Sequence, residues 1–239
     1  NGWYKGKLGF MPTPNHYGDT TAALAALCIT YADGHEEWIG TDESWLCTTG
    51  AVQFSEIYDG ETQDFTAAPA APQPVKLFEY SFDTLVGQEN EPVRCLQKLP
   101  VVKEFTTPKG EKVYDFGQNL TGWVEVEIYG EPGQKLTLRH AESLDENGNF
   151  YTENLSWAKA TDTYILSGGR QILHPHFTWH GFRYLCVEGL QYGQNVQFTA
   201  CHLSTDLQQT GSFSCSDKRV NRLQQNIQWS QRDNFVDIP

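Results

Sequence analysis

Long hydrophobic runs are missing from this 239-residue chain, and basic residues are scarce. No apolar stretch approaches the roughly 20 residues of a membrane-spanning helix, and mean hydropathy is -0.51. Lys and Arg number 17 against 30 Asp and Glu, a formal charge of -13. That balance repels a phosphate backbone and no basic stripe offsets it, so neither nucleic acid nor an anionic membrane is an expected partner. Neutral ligands, sugars among them, are not disfavoured. No Gly-rich phosphate loop, Walker pattern or Gly-x-Ser-x-Gly elbow occurs. No CxxC pair occurs among Cys28, Cys47, Cys95, Cys186, Cys201 and Cys215, which argues against zinc and redox motifs. The six are spread too thinly for a disulfide-stapled secreted domain, and Cys28, Cys186 and Cys201 lie inside apolar strand patterns. All six are expected as unpaired thiols and the chain as cytoplasmic.

Aromatic residues, at 13%, are too many for a disordered chain, and the length supports one large or two small cores. Residues 123–129 alternate cleanly: Val124, Val126 and Ile128 on one face, Trp123, Glu125, Glu127 and Tyr129 on the other. A turn at 131–134 leads to residues 135–140, with Leu136 and Leu138 inward. Strands follow at 161–166, 182–188 and 196–203, and earlier ones at 24–31 and 37–46 join at Asp33-Gly34. Short strands with Gly and Pro turns predict β-sandwiches. Residues 66–74 carry three prolines and no bulky core residue, a linker composition. At the other end, Ser216 is the predicted N-cap of a helix reaching about Asn234, with Val220, Leu223 and Ile227 on one face. That face needs a partner, and both chain ends are abrupt, so the chain is expected to be cut from a longer protein.

Four groups of residues carry candidate chemistry. Glu125 and Glu127 lie about 6.5–7 Å apart at i, i+2, inside the spacing of an inverting glycosidase pair, but a wet sheet face carries such pairs routinely. His174, His176 and His180 contain a His-x-His that could hold zinc, although Pro175 disrupts the strand and edge or turn histidines explain it better. Asp145-x-Asn147-x-Asn149 resembles half a calcium loop, yet Gly148 falls at the wrong position and a tight hairpin turn is the better reading. Trp3, Tyr4, Trp157 and Trp179 could stack on sugar rings, with core packing favoured for most of them. Asn119-Leu-Thr and Asn154-Leu-Ser are formal glycosylation sequons.

Several segments, in order, resemble the bacterial alpha-L-rhamnosidase family. They are Asn1-Gly-Trp-Tyr-Lys-Gly; Gly40-Thr-Asp-Glu-Ser-Trp45 with Ser55-Glu-Ile-Tyr-Asp-Gly-Glu61; and Tyr114-Asp-Phe-Gly-Gln-Asn-Leu-Thr-Gly-Trp123. Arg139-His-Ala-Glu142, Ala160-Thr-Asp-Thr-Tyr164 and Phe177-Thr-Trp-His-Gly-Phe-Arg-Tyr184 follow, then Ser216-Asp-Lys-Arg-Val-Asn-Arg-Leu223 and Asp233-Asn-Phe-Val-Asp-Ile-Pro239. The resemblance implies a mainly β chain: two antiparallel β-sandwich units, the first truncated, followed by the first helix of a six-hairpin (α/α) barrel. Residues 1–65 would be the second half of an N-terminal sandwich, 66–92 an Ala/Pro-rich linker, 93–206 a concanavalin-like sandwich, and 207–239 the start of the catalytic barrel. It implies a glycoside hydrolase that removes terminal alpha-L-rhamnose with inversion, its catalytic acids falling after Pro239. No catalytic residue, cofactor or metal ligand is therefore assigned within 1–239. The expected partner is a rhamnoside, and a homo-oligomer is compatible. A carbohydrate-binding module without catalysis and a purely structural scaffold are the alternatives.

Overall fold

The computed structural model describes residues 4–9 and 13–237. Its strands are β1 (Ala26–Thr30), β2 (Glu36–Gly40), β3 (Leu46–Cys47), β4 (Val52–Glu56), β5 (Gly60–Asp64), β6 (Gln73–Pro74), β7 (Val93–Pro100) and β8 (Lys103–Thr106). There follow β9 (Lys112–Gly130), β10 (Lys135–Ala141), β11 (Ser143–Leu144), β12 (Phe150–Tyr151), β13 (Thr161–Ile165), β14 (Gly169–Leu173), β15 (His180–Glu188) and β16 (Val196–Thr205). The helix α1 (Lys218–Asn234) closes the chain. No helix among the described residues is long and apolar enough to cross a membrane.

One ten-stranded sheet dominates, in the order β4-β5-β13-β10-β15-β9-β16-β7, with β8 and β14 added along β9. The 19-residue β9 organises it. Its first half pairs with β8 and β15, its second with β14 and β16, so the sheet curls over one core. The partner change falls at Gly122, which faces both His180 and His202. A Cβ there would run into the carbonyl oxygen of Cys201, so only glycine permits the close approach. Val124, Val126, Ile128, Leu136 and Leu138 are all buried in this core, as the alternation predicts. Tyr114 packs on Phe198, and Phe116 meets Phe182 edge to face. All six cysteines are free thiols. Burial pushes Cys186 up to about 11, and burial with the neighbouring Cys95 pushes Cys201 up to about 12.

The sheet is antiparallel except at one edge. There β5 runs parallel to β13, with Thr62 opposite Thr163. Residues 52–64 therefore extend the central sheet, although the division at 65 assigns them to the N-terminal unit. What draws them in is polar: buried Glu61 accepts from the backbone N–H groups of His176 and Phe177, at 3.0 Å each. The 66–92 run is also tied down, since β6 pairs with β3. Around it, the β1–β2 hairpin turns at Gly34 and leaves Leu27, Trp38 and Ile39 exposed.

The helix runs from Lys218, and its N-cap is Asp217, one residue later than the predicted Ser216. That carboxylate accepts from Arg219 N at 2.8 Å and also holds the Arg219 guanidinium, two bonds a serine hydroxyl cannot match. Val220, Leu223 and Ile227 stay 41%, 57% and 52% exposed. The helix docks instead through Trp229, which packs on the core and lies 5.0 Å from the His202 ring.

Candidate functional site

A cleft of about 450 Å³ opens where α1 meets the sheet. Gln118, Asn119 and Thr121 come from β9, Gly181 from the adjacent β15, Glu142 from the junction of β10 and β11, and Asn226, Ser230, Asp233 and Asn234 from α1. Two strands and a helix thus supply one polar lining. Glu142 accepts from Asn119 Nδ2 at 3.1 Å and from Asn154 Nδ2 at 3.3 Å. Asp233 accepts from Thr121 N at 3.1 Å, and its own carbonyl accepts from Thr121 Oγ1 at 2.8 Å, which clamps the helix C-terminus to β9. Asn119 Oδ1 is buried with no partner, an acceptor turned inward. Such a lining suits hydroxyl groups of a neutral ligand. Both Glu142 oxygens and Asp233 Oδ1 are occupied by amide donors.

The candidate residues from the sequence scatter. Glu125 and Glu127 lie on the outer face, paired across strands with Lys98 at 2.9 Å and Arg170 at 2.8 Å. These are surface ion pairs, which accounts for both glutamates. Asp145 Oδ1 accepts from Asn147 N and Asn149 N, and Gly148 takes a positive φ, closing the β11–β12 hairpin. His174 stacks on Trp123 at 5.1 Å and lies 5.0 Å from His176, whereas His180 turns inward to other partners. Trp157 and Trp179 are 39% and 38% exposed, so core packing does not describe them. Trp157 meets Tyr58 edge to face at 4.6 Å. Tyr4 is also exposed, and Trp3 lies outside the described residues. Of the two sequons, Asn119 is committed to the cleft and Asn154 to Glu142.

A second cluster lies inside the sandwich, and the sequence reading missed most of it. His140 on β10, Asp162 on β13 and His180 on β15 bring their ligand atoms within 4.8 Å of one another, all buried. His180 Nε2 is 3.1 Å from Asp162 Oδ2, and the His140 and His180 rings stack at 4.3 Å. Burial, then the His180 charge, drives His140 down to about 3. Burial opposes the charge on Asp162, yet His180, His140 and the Glu61 N–H together hold its carboxyl below the usual value. Tyr164, two residues along β13, is raised well above its ordinary value by burial and by the charges of Asp162 and Glu61. The signal was strand phase: His140 continues Leu136 and Leu138, and His180 precedes Phe182 by two.

A curled, mainly β sandwich followed by one docked helix with an uncovered apolar face is the class of fold these elements define. Three family models of one enzyme match in series. They are the alpha-L-rhamnosidase N-terminal domain over residues 1–97, the bacterial alpha-L-rhamnosidase concanavalin-like domain over 105–204, and the bacterial alpha-L-rhamnosidase six-hairpin glycosidase domain over 208–239. The chain belongs to the bacterial alpha-L-rhamnosidase family. It is 36% identical to an alpha-L-rhamnosidase of Streptomyces avermitilis, covering all of this chain and 24% of that protein. The native alpha-L-rhamnosidase of Aspergillus terreus superposes with a TM-score of 0.90 at 36% identity, covering 100% of this chain and 29% of the other. The Streptomyces avermitilis alpha-L-rhamnosidase complexed with L-rhamnose gives 0.87 at 34% identity, with 100% and 24% covered. The chain thus spans about a quarter of the length of these relatives.

Proposed function

We propose that this chain is the non-catalytic β-sandwich portion of an inverting alpha-L-rhamnosidase, built to carry a helical catalytic domain. One observation carries the reading: α1 is fastened to the sheet by Trp229 and Asp233 while Val220, Leu223 and Ile227 face outward. A barrel of further helices is the natural cover for that face. Inverting hydrolysis needs two carboxyl groups across a sugar, one kept protonated and one a water away from the ring. Glu125 and Glu127, side by side and ion-paired, cannot serve. The three sections would be 1–65, 93–206 and 207–239, with 66–92 between the first two. A cytoplasmic location agrees with six free thiols, and the exposed apolar faces agree with a homo-oligomer.

A direct assay tests this. The chain alone, given an aryl alpha-L-rhamnoside, is expected to show no turnover, whereas a longer protein extended past Pro239 releases rhamnose with inverted anomeric configuration by proton NMR. Turnover by the chain alone refutes the proposal. A second reading, a carbohydrate-binding module, is favoured by the exposed Trp38, Trp45, Trp157 and Trp179. Calorimetric titration of the chain with L-rhamnose separates it from a scaffold, which would give no heat of binding.

A further inference from the structure

We propose that His140, Asp162 and His180 bind one divalent transition-metal ion of the zinc class, a structural ion buried inside the sandwich. The case begins with an orphaned atom. His140 Nδ1 lies 2.9 Å from the carbonyl oxygen of Ala160, an acceptor, so Nδ1 carries the hydrogen. That leaves Nε2 as a bare lone pair, fully buried and without a partner. It points towards Asp162 Oδ2 at 4.0 Å, another acceptor, too far for a hydrogen bond. Asp162 Oδ2 already accepts from His180 Nε2 at 3.1 Å, so the buried His140 lone pair is the one left without a positive or donating partner.

The donor set and spacing fit a metal. Two imidazole nitrogens and one carboxylate oxygen suit zinc-class ions and not calcium or magnesium. Ligand atoms bound at about 2.0–2.1 Å in a tetrahedron are roughly 3.3 Å apart. The separations here are 3.1 Å for His180 to Asp162, a hydrogen bond whose proton the ion would displace, and 4.0 Å for His140 to Asp162, with all three ligand atoms within 4.8 Å of one another. Supporting contacts are of the expected kind: a ligating histidine gives its second N–H to a backbone carbonyl, as His140 does, and Asp162 Oδ1 accepts from Glu61 N at 2.9 Å. The three residues come from β13, β10 and β15, adjacent strands whose ladders fix the spacing. Charge also balances. Asp162 and Glu61 are both buried; Asp162 has only the histidines His140 and His180 as ion-pair partners, Glu61 has only neutral N–H donors, and no Lys or Arg among the described residues pairs with either. A divalent cation would neutralise the two. Tyr164 Oη, buried and unpartnered, is the next oxygen along that face of β13.

The test is metal content. The untagged chain is produced in zinc-supplemented medium, dialysed against metal-free buffer and measured by plasma mass spectrometry. About one zinc per chain is expected, falling to near zero in Asp162→Asn and in His140→Gln, and unchanged in a His174→Gln/His176→Gln double variant. No bound metal in the unaltered chain, including after refolding with zinc or cobalt, overturns the proposal. So does metal retained by the Asp162 and His140 variants, or lost only from the His174/His176 variant. Should the ligand variants fail to fold, X-ray absorption of the cobalt-loaded double variant decides. Two imidazoles and a carboxylate oxygen support the site, and sulfur scattering from thiolate overturns it.

Discussion

Replacing Glu61 by glutamine tests whether the parallel edge of the sheet is held by its buried carboxylate. Oε1 accepts from Gln63 Nε2 at 2.6 Å and His176 N at 3.0 Å, and Oε2 accepts from Phe177 N at 3.0 Å. Glutamine has the same length but turns one oxygen into an NH₂ group. In its better orientation it keeps the first two donors and sets its own N–H against that of Phe177. One bond to a charged acceptor is lost, about 1.5–3 kcal/mol, and a partly buried N–H is left unpaired, so the net cost should be about 3 kcal/mol. For a chain of this length that corresponds to a melting shift of roughly 6–12 °C. Thermal unfolding followed by far-UV circular dichroism measures it. Hydrogen exchange by mass spectrometry localises it: amides of residues 174–178 should exchange faster while those around Val126 do not. A loss under about 0.5 kcal/mol with unchanged exchange at 174–178 would refute the argument, because the clamp would then carry nothing.

Other expectations follow from the same structure. Leu138→Ala should cost about 2–5 kcal/mol in urea unfolding, whereas Glu125→Ala, which loses only a surface ion pair, should stay within about 1 kcal/mol. Asp115 provides a pH test: it accepts from Arg183 Nε and Nη2 at 2.8 and 2.9 Å and from Gly117 N at 2.6 Å. Burial alone would raise that carboxyl, but Arg183 and the Gly117 N–H outweigh it and hold it below its ordinary value. Its contribution is therefore complete above the unfolded value of about 3.9 and fades as pH falls through the lower folded value. Asp115→Asn should be less stable at neutral pH and show a flatter loss of stability below about pH 4. Amides of the exposed β1–β2 hairpin should exchange far faster than those of Val124, Val126 and Ile128, by the same mass spectrometry.

Period-two alternation made the second half of β9 and all of β10 legible, because hydropathy and phase agree there. The same rule explains why Glu125 and Glu127 looked like a pair: alternation sets them on one face, and only the structure reveals Lys98 and Arg170 opposite. Phase without hydropathy was harder to see. Asp162 and Tyr164 point inward while Thr161 and Thr163 do not, the reverse of what polarity suggests for Asp162. Glu61 and Gln63 were illegible for another reason. Their partners lie more than a hundred residues ahead, and a parallel pairing at a sheet edge has no turn to announce it. The helix was visible from its apolar spacing, but that spacing marked the face left open, and Trp229 does the docking. For the cleft, Asn119, Glu142 and Asp233 fall in three separate motifs, and nothing local says they converge.

The pairing of β5 with β13 also has a consequence for synthesis. Glu61 and Asp162 are 101 positions apart, so β4 and β5 leave the ribosome well before the strand that completes them exists. At about 5–20 residues per second, the wait is on the order of 5–20 s. During that interval a short hairpin holds an open edge, with a carboxylate whose backbone donors have not been made. Slower translation between residues 65 and 160 would lengthen the exposure, and a chaperone that shelters this segment would act before β13 emerges rather than after.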